Sequence, residues 1–113
     1  MLTIDSLRAY GANVDEGLER CLGNNEFYIR LVKKSLDDKN FAALKDALDA
    51  KDLGKAFECA HALKGVAANL SLTPIFEPMS EMTELLRSRT DMDYSELYER
   101  SAAAIEELRK LCE

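Results

Sequence analysis

Apolar residues in this chain recur at steps of three and four almost from end to end, a spacing that admits helices and little else. Ile75, Met79, Met82 and Leu86 step by 4, 3 and 4; Leu97, Ser101, Ala104, Leu108 and Leu111 step by 4, 3, 4 and 3. There is no strand-like alternation, internal repeat or low-complexity tract. Five Gly and two Pro in 113 residues leave too little turn punctuation for an all-β fold. With 47% hydrophobic and 32% charged residues, the composition is that of a globular domain, and the length fits one.

The helix boundaries are partly legible. Asn13-x-x-Glu16 has the form of a capping box, and Gly23 closes a short amphipathic stretch carrying Val14, Leu18 and Cys21. Asn24 or Asn25 caps a helix with Phe27, Tyr28, Leu31, Val32 and Leu36 on one side. Asp37-Asp38-Lys39-Asn40 either breaks that helix or marks its exposed turn, and Phe41, Leu44 and Leu48 continue the period beyond it. Asp52 is an N-cap candidate for a helix running to about Leu70. Ser71-Leu72-Thr73-Pro74 is a short connection, and Pro78 should leave a kinked or separate first turn in the helix that follows. Asp93-x-x-Glu96 suggests an Asp93 cap for the last helix, whose Glu96, Glu99, Glu106 and Glu107 form a solvated face. Short connections make successive helices antiparallel neighbours. The expectation is one all-α domain over residues 1–113: an up-and-down four-helix bundle over 25–112, with short N-terminal helices in an extension over 1–23.

Charge and cysteine content narrow the function. The net charge is −6, which disfavours nucleic acid and anionic lipid as partners. No run approaches the roughly 18 apolar residues of a membrane span, and the N-terminus has neither the basic nor the apolar region of an export signal, so a cytoplasmic location is expected. Cys21, Cys59 and Cys112 include no Cys-x-x-Cys pair, and the single histidine is too little to complete a zinc site. They are expected as buried, reduced thiols, with no metal bound.

The informative segment follows Asp52. On a helical wheel of about 100° per residue with His61 at zero, Cys59, Leu63, Val66 and Leu70 cluster at about 180°, flanked by Ala56 and Ala67. His61 therefore faces away from the core. Lys64 falls at about −60°, Gly65 at about +40° and Ala68 at about −20° on the same count. Gly65 costs a helix interior about 1 kcal/mol relative to Ala, and on the outward face that cost makes sense if another surface approaches the imidazole closely. Lys64 is suited to offset the charge of a phosphoryl group on the ring. Phe57, at about −40°, is either the edge of an apolar docking patch with Ala68 or a contact for an N-terminal helix. Asn69, at about +80°, either faces the same rim or simply ends the helix.

His61-x-Leu63-Lys64-Gly65-x-Ala67-x-x-Leu70 resembles the signature of histidine-containing phosphotransfer (HPt) domains of bacterial multistep phosphorelays. The helical pattern from about Asn25 to Leu111 is similar to that family in length and helix order. The resemblance implies that His61 accepts and donates a phosphoryl group, that Lys64 stabilises its charge, and that Gly65, with Ala68, Phe57 and Asn69 around it, admits the partner. The partners it implies are receiver domains of response regulators and a hybrid sensor histidine kinase, with Mg²⁺ supplied by the receiver and no cofactor of the chain's own. No Gly-rich nucleotide loop or carboxylate cluster is present, so a monomeric phosphocarrier rather than a kinase is expected. Ser71 stands where the family usually has Gly, which predicts a looser helix exit. Two other readings remain: a phosphate-independent helical adaptor on the same bundle, and a metal- or redox-responsive bundle using His61 and a cysteine, which the opposite placement of Cys59 disfavours.

Overall fold

The computed structural model describes residues 1–113, all helix and connection with no strand. Seven helices follow in chain order: α1 (Ile4–Tyr10), α2 (Val14–Arg20), α3 (Asn25–Ser35), α4 (Asn40–Asp49), α5 (Leu53–Asn69), α6 (Thr73–Arg87) and α7 (Ser95–Leu111). The helix starts expected at Asn13, Asn24 and Asp52 are all formed. Each side-chain oxygen accepts a backbone N–H one turn on, from Glu16 at 3.4 Å, Phe27 at 3.0 Å and Lys55 at 3.2 Å. Each bond satisfies one of the donors that a helix start leaves without a partner.

Three residues between α4 and α5, and three more between α5 and α6, turn the chain back on itself, so that α5 packs between α4 and α6; α6 in turn packs on α7. The core runs through these elements, where Leu44, Met79, Met82, Leu86 and Leu108 are fully buried, and on into the N-terminal helices, where Leu7, Tyr28 and Val32 are too. The methionines at helical spacing are thus core. The N-terminal helices are tied on by buried hydrogen bonds: Tyr10 Oη donates to Ala104 O at 2.8 Å, and Tyr28 Oη donates to Leu70 O at 2.7 Å.

Four local expectations are resolved or corrected. The segment after Leu36 does break the helix, because Asp38 Oδ1 accepts from Asn40 N at 2.8 Å and restarts the chain as α4. Pro78 separates nothing: α6 runs unbroken through it. As the sixth helical residue it removes only the bond to the carbonyl four residues back, within the first turn. Asp93 is not the cap of α7, which is Tyr94; the Asp93 carboxylate accepts from Ser95 N at 2.9 Å, and its bonds with Ser95 hold it below the usual carboxylate range. Cys21 and Cys59 are buried free thiols as expected, but Cys112, just past the end of α7, is only partly buried.

Ser71 does not loosen the exit of α5. It sits in the left-handed region at φ 56°, in the place a glycine usually takes after a helix. Ser71 N donates to Ala68 O at 3.2 Å and Leu72 N to Ala67 O at 2.9 Å, closing the helix end with a paired turn. Arg20 Nη1 donates to Ser71 Oγ at 2.8 Å and to Ala68 O at 2.9 Å, while Asn13 N donates to Ser71 O at 2.9 Å. The strain of about 1–2 kcal/mol that a left-handed non-glycine carries is offset by these bonds, one of which glycine could not make. A guanidinium against the last carbonyls of a helix also suits its dipole.

Candidate functional site

Helix α5 carries the candidate residues on the face opposite its core stripe. Ala56, Cys59, Ala60, Leu63 and Ala67 are buried, Val66 is partly so, and His61, Gly65 and Asn69 are exposed. Burial pushes the Cys59 thiol up, keeping it protonated on the side away from His61. No three His, Cys, Asp or Glu side chains converge in a way that would hold a metal ion.

Phe57 stacks on the imidazole one turn below it, with ring centroids 5.5 Å apart and planes inclined by 25°. The same ring takes two cations from the end of α6: Arg87 Cζ is 5.0 Å and Arg89 Cζ 5.3 Å from its centroid. Phe57 therefore sits beside the histidine on the α6 side, as the edge of the site. Its stack limits the rotamers of His61, while the guanidiniums place positive charge on the ring that touches the imidazole.

Lys64, one turn beyond His61, is half-buried, with its side chain 26% exposed. Its Nζ lies 3.8 Å from Glu84 Oε1, and the other oxygen of Glu84 takes a hydrogen bond from Arg87 Nε at 3.2 Å. Gly65 opens onto empty space, since a Cβ built there meets nothing within 4 Å. Ala68 is partly buried, and Arg20 holds its carbonyl. Asn69 ends the helix with its side chain exposed; its carbonyl is a distant 3.5 Å acceptor for Arg20. The outward face thus brings together His61, Lys64, Gly65 and Phe57, with Ala68 and Asn69 at its far end.

Sequence reasoning missed Glu84, Arg87, Arg89 and Arg20. Glu84 and Arg87 belong to α6 and Arg89 follows just past its end; they meet α5 because a three-residue connection runs the two helices side by side: as one counts up from Phe57 to Lys64, the other segment counts down from Arg89 to Glu84. That pairing was available once the hairpin was drawn, but its register was not.

A helical bundle that presents a single histidine on an outward helix face, next to a lysine and an open glycine, has the layout of a phosphohistidine carrier. The comparison with protein families agrees: the family model described as Hpt domain matches residues 33–111. The chain belongs to the Hpt domain family. Hpt domains are phosphocarrier modules of two-component phosphorelays, not enzymes themselves, and they interact with receiver domains and kinases. The matched span takes in α4–α7 and begins in the last turn of α3, leaving α1, α2 and most of α3 outside it. Neither the curated proteins nor the solved structures returned a match. No helix is long and apolar enough to cross a membrane.

Proposed function

We propose that this chain is a phosphorelay intermediate that accepts and donates a phosphoryl group on His61, exchanging it with receiver-domain aspartates of response regulators and fed by a hybrid sensor histidine kinase. The observation that carries the reading is the exposure of His61 on the one face of α5 where Lys64 and an unobstructed Gly65 also lie, within the span that matches the family. Lys64 is the charge-stabilising residue, and Gly65, Phe57, Ala68 and Asn69 form the docking rim. The chain works as a monomer in the cytoplasm, has no ATP-binding element of its own, and takes its Mg²⁺ and catalytic aspartates from the receiver.

The chemistry asks little of the carrier. A lone pair on a neutral ring nitrogen forms the N–P bond while the P–O bond to the receiver's aspartate breaks, and its electron pair leaves on the carboxylate. The other ring nitrogen keeps its proton, so no base is needed. Phe57 restrains the ring for this in-line attack, and Gly65 leaves room for the receiver's loops. Reversal with a second receiver completes the relay.

The test is phosphorylation with a small phosphodonor or a phosphorylated receiver, followed by mass mapping. One acid-labile, base-stable phosphoryl group at His61, absent in His61→Gln, is expected. Phosphate on a Ser or Thr overturns the reading, and none at all overturns it in favour of a phosphate-independent adaptor.

A further inference from the structure

Lys64 is not free to meet a phosphoryl group. Its ammonium faces one carboxylate, Glu84, at 3.8 Å, an ion pair without a hydrogen bond. Glu84 is held more firmly from the other side, where Arg87 Nε donates to it at 3.2 Å. The two contacts use different oxygens of the same carboxylate. Arg87 is in turn seated over the Phe57 ring, which stacks on His61. Lys64, Glu84, Arg87, Phe57 and His61 therefore form a continuous chain of contacts that starts and ends on the same face of α5.

A phosphoryl group arriving on His61 brings a charge near −2 within one helical turn of Lys64. The lysine cannot serve this group and Glu84 equally, and the phosphoryl group and Glu84 repel each other. We propose that Glu84 is an exchangeable counter-ion: it neutralises Lys64 while His61 is bare, loses it to the phosphoryl group on phosphorylation, and stays anchored by Arg87 in both states. The inference rests on the phosphocarrier reading above. Its consequence is thermodynamic. Lys64 contributes to the phosphorylated state only the difference between its attraction to the phosphoryl group and its attraction to Glu84. Glu84 thereby keeps the phosphohistidine weaker than the lysine alone would make it, and a carrier that must give up its cargo needs that weakness.

The experiment uses the whole chain with phosphoramidate as the probe. In that exchange the N–P bond of the donor breaks, one forms at His61, and ammonia leaves. At a fixed ratio of phosphoramidate to ammonia, ³¹P NMR reads the plateau ratio of phosphorylated to bare protein. Glu84→Gln keeps the side-chain length and removes the charge, so it should raise that ratio roughly twofold to fivefold, the worth of an exposed ion pair, with an unchanged melting temperature. The rise should shrink in 1 M salt and vanish when Lys64→Ala is already present. A structural role for Glu84 would not show that dependence on Lys64. An unchanged plateau in Glu84→Gln, or the same rise without Lys64, overturns the counter-ion exchange while leaving the carrier intact. A wild-type protein that takes up no phosphate at His61 overturns both.

Discussion

Of the three glycines within helices, Gly54 lies in the first turn of α5, and the other two are there for opposite reasons. Gly17, in α2, is buried against Tyr28: a Cβ there would lie 2.6 Å from Cε1 of the ring and 2.8 Å from its hydroxyl oxygen. Gly65, in α5, is exposed, and a Cβ there would meet nothing. Each costs its helix about the same propensity relative to Ala. At Gly17 the return is internal, because the space admits a fully buried tyrosine whose hydroxyl reaches Leu70 O at the end of α5. At Gly65 the chain itself gains nothing, so the space serves a molecule that comes from outside. A glycine in a helix thus marks close approach, and only the surroundings say whether the approaching group belongs to the fold or to a partner.

The comparison breaks most easily at Gly17. Gly17→Ala drives a methyl group into a ring that cannot retreat without giving up its bond to Leu70. A loss of about 1–3 kcal/mol is expected, the range for overpacked cores, seen as a lower melting temperature and denaturant midpoint. A Gly17→Ala protein that melts like wild type would mean that α2 is free to move off Tyr28, and the contrast with Gly65 would collapse.

On the other side, Gly65→Gln should leave the melting temperature no lower than wild type and still allow phosphorylation by a small donor. Transfer to and from a receiver should fall about tenfold, equivalent to roughly 1.4 kcal/mol of lost transition-state stabilisation from a side chain in the way. Thermal melting beside transfer kinetics with both donors checks it. A large stability loss would put Gly65 in the same class as Gly17, and unimpaired receiver transfer would place the docking face elsewhere.

The two glycines also show what was legible in the sequence. Gly65 stands out because the wheel places it beside His61 on the face away from the core, and the stripe opposite it is buried as spaced apart from the partly buried Val66. Gly17 lay in a short helix whose partner could not be named, because contact with Tyr28 depends on how α2 folds against α3. Helix starts were largely readable, since Asn13, Asn24 and Asp52 advertise their caps through side-chain chemistry. Helix ends were less so, although α5 does end where it reads, at Asn69 with Leu70 as its cap. Leu22, Lys51, Ser71 and Arg89 all take left-handed backbone with φ between 54° and 57°, where a reader looks for glycine. At Ser71 the reason is tertiary, since Arg20 and Asn13 come from distant sequence to hold it. The same holds for the site: His61, Lys64, Gly65 and Phe57 share one helix and one period, whereas Glu84 and Arg87 enter only through packing.

Tyr28 sharpens the internal half of the comparison with a smaller effect. Tyr28→Phe keeps the ring against Gly17 but leaves Leu70 O without its donor, so a loss of about 1 kcal/mol is expected. Burial, with a lesser effect from Cys21, pushes the Tyr28 hydroxyl up to about 12 from an ordinary value near 10. Between these values the unfolded chain has released this proton and the folded protein has not, so stability falls as the pH rises from about 10 towards 12. Tyr28→Phe should lose less stability than wild type across that window. Parallel alkaline slopes for the two proteins in denaturant titrations would show that the hydroxyl is not the group being titrated.

Gly65→Ala is the smallest change and the closest counterpart to Gly17→Ala, since the same methyl group is added to the middle of a helix. Here it meets no atom, the backbone is already helical, and the unfolded chain loses freedom, so the fold should gain up to about 1 kcal/mol. The gain would raise the melting temperature by a few degrees for a chain of this length. A methyl group projects much less than a glutamine side chain, so receiver transfer should fall less than in Gly65→Gln. Graded transfer from Gly to Ala to Gln, alongside a melting temperature that rises at the first step, is the signature of space kept for a partner. If Ala destabilises here as it does at position 17, then α5 is packed on a surface of its own fold at Gly65, and the opening beside His61 is not a docking site.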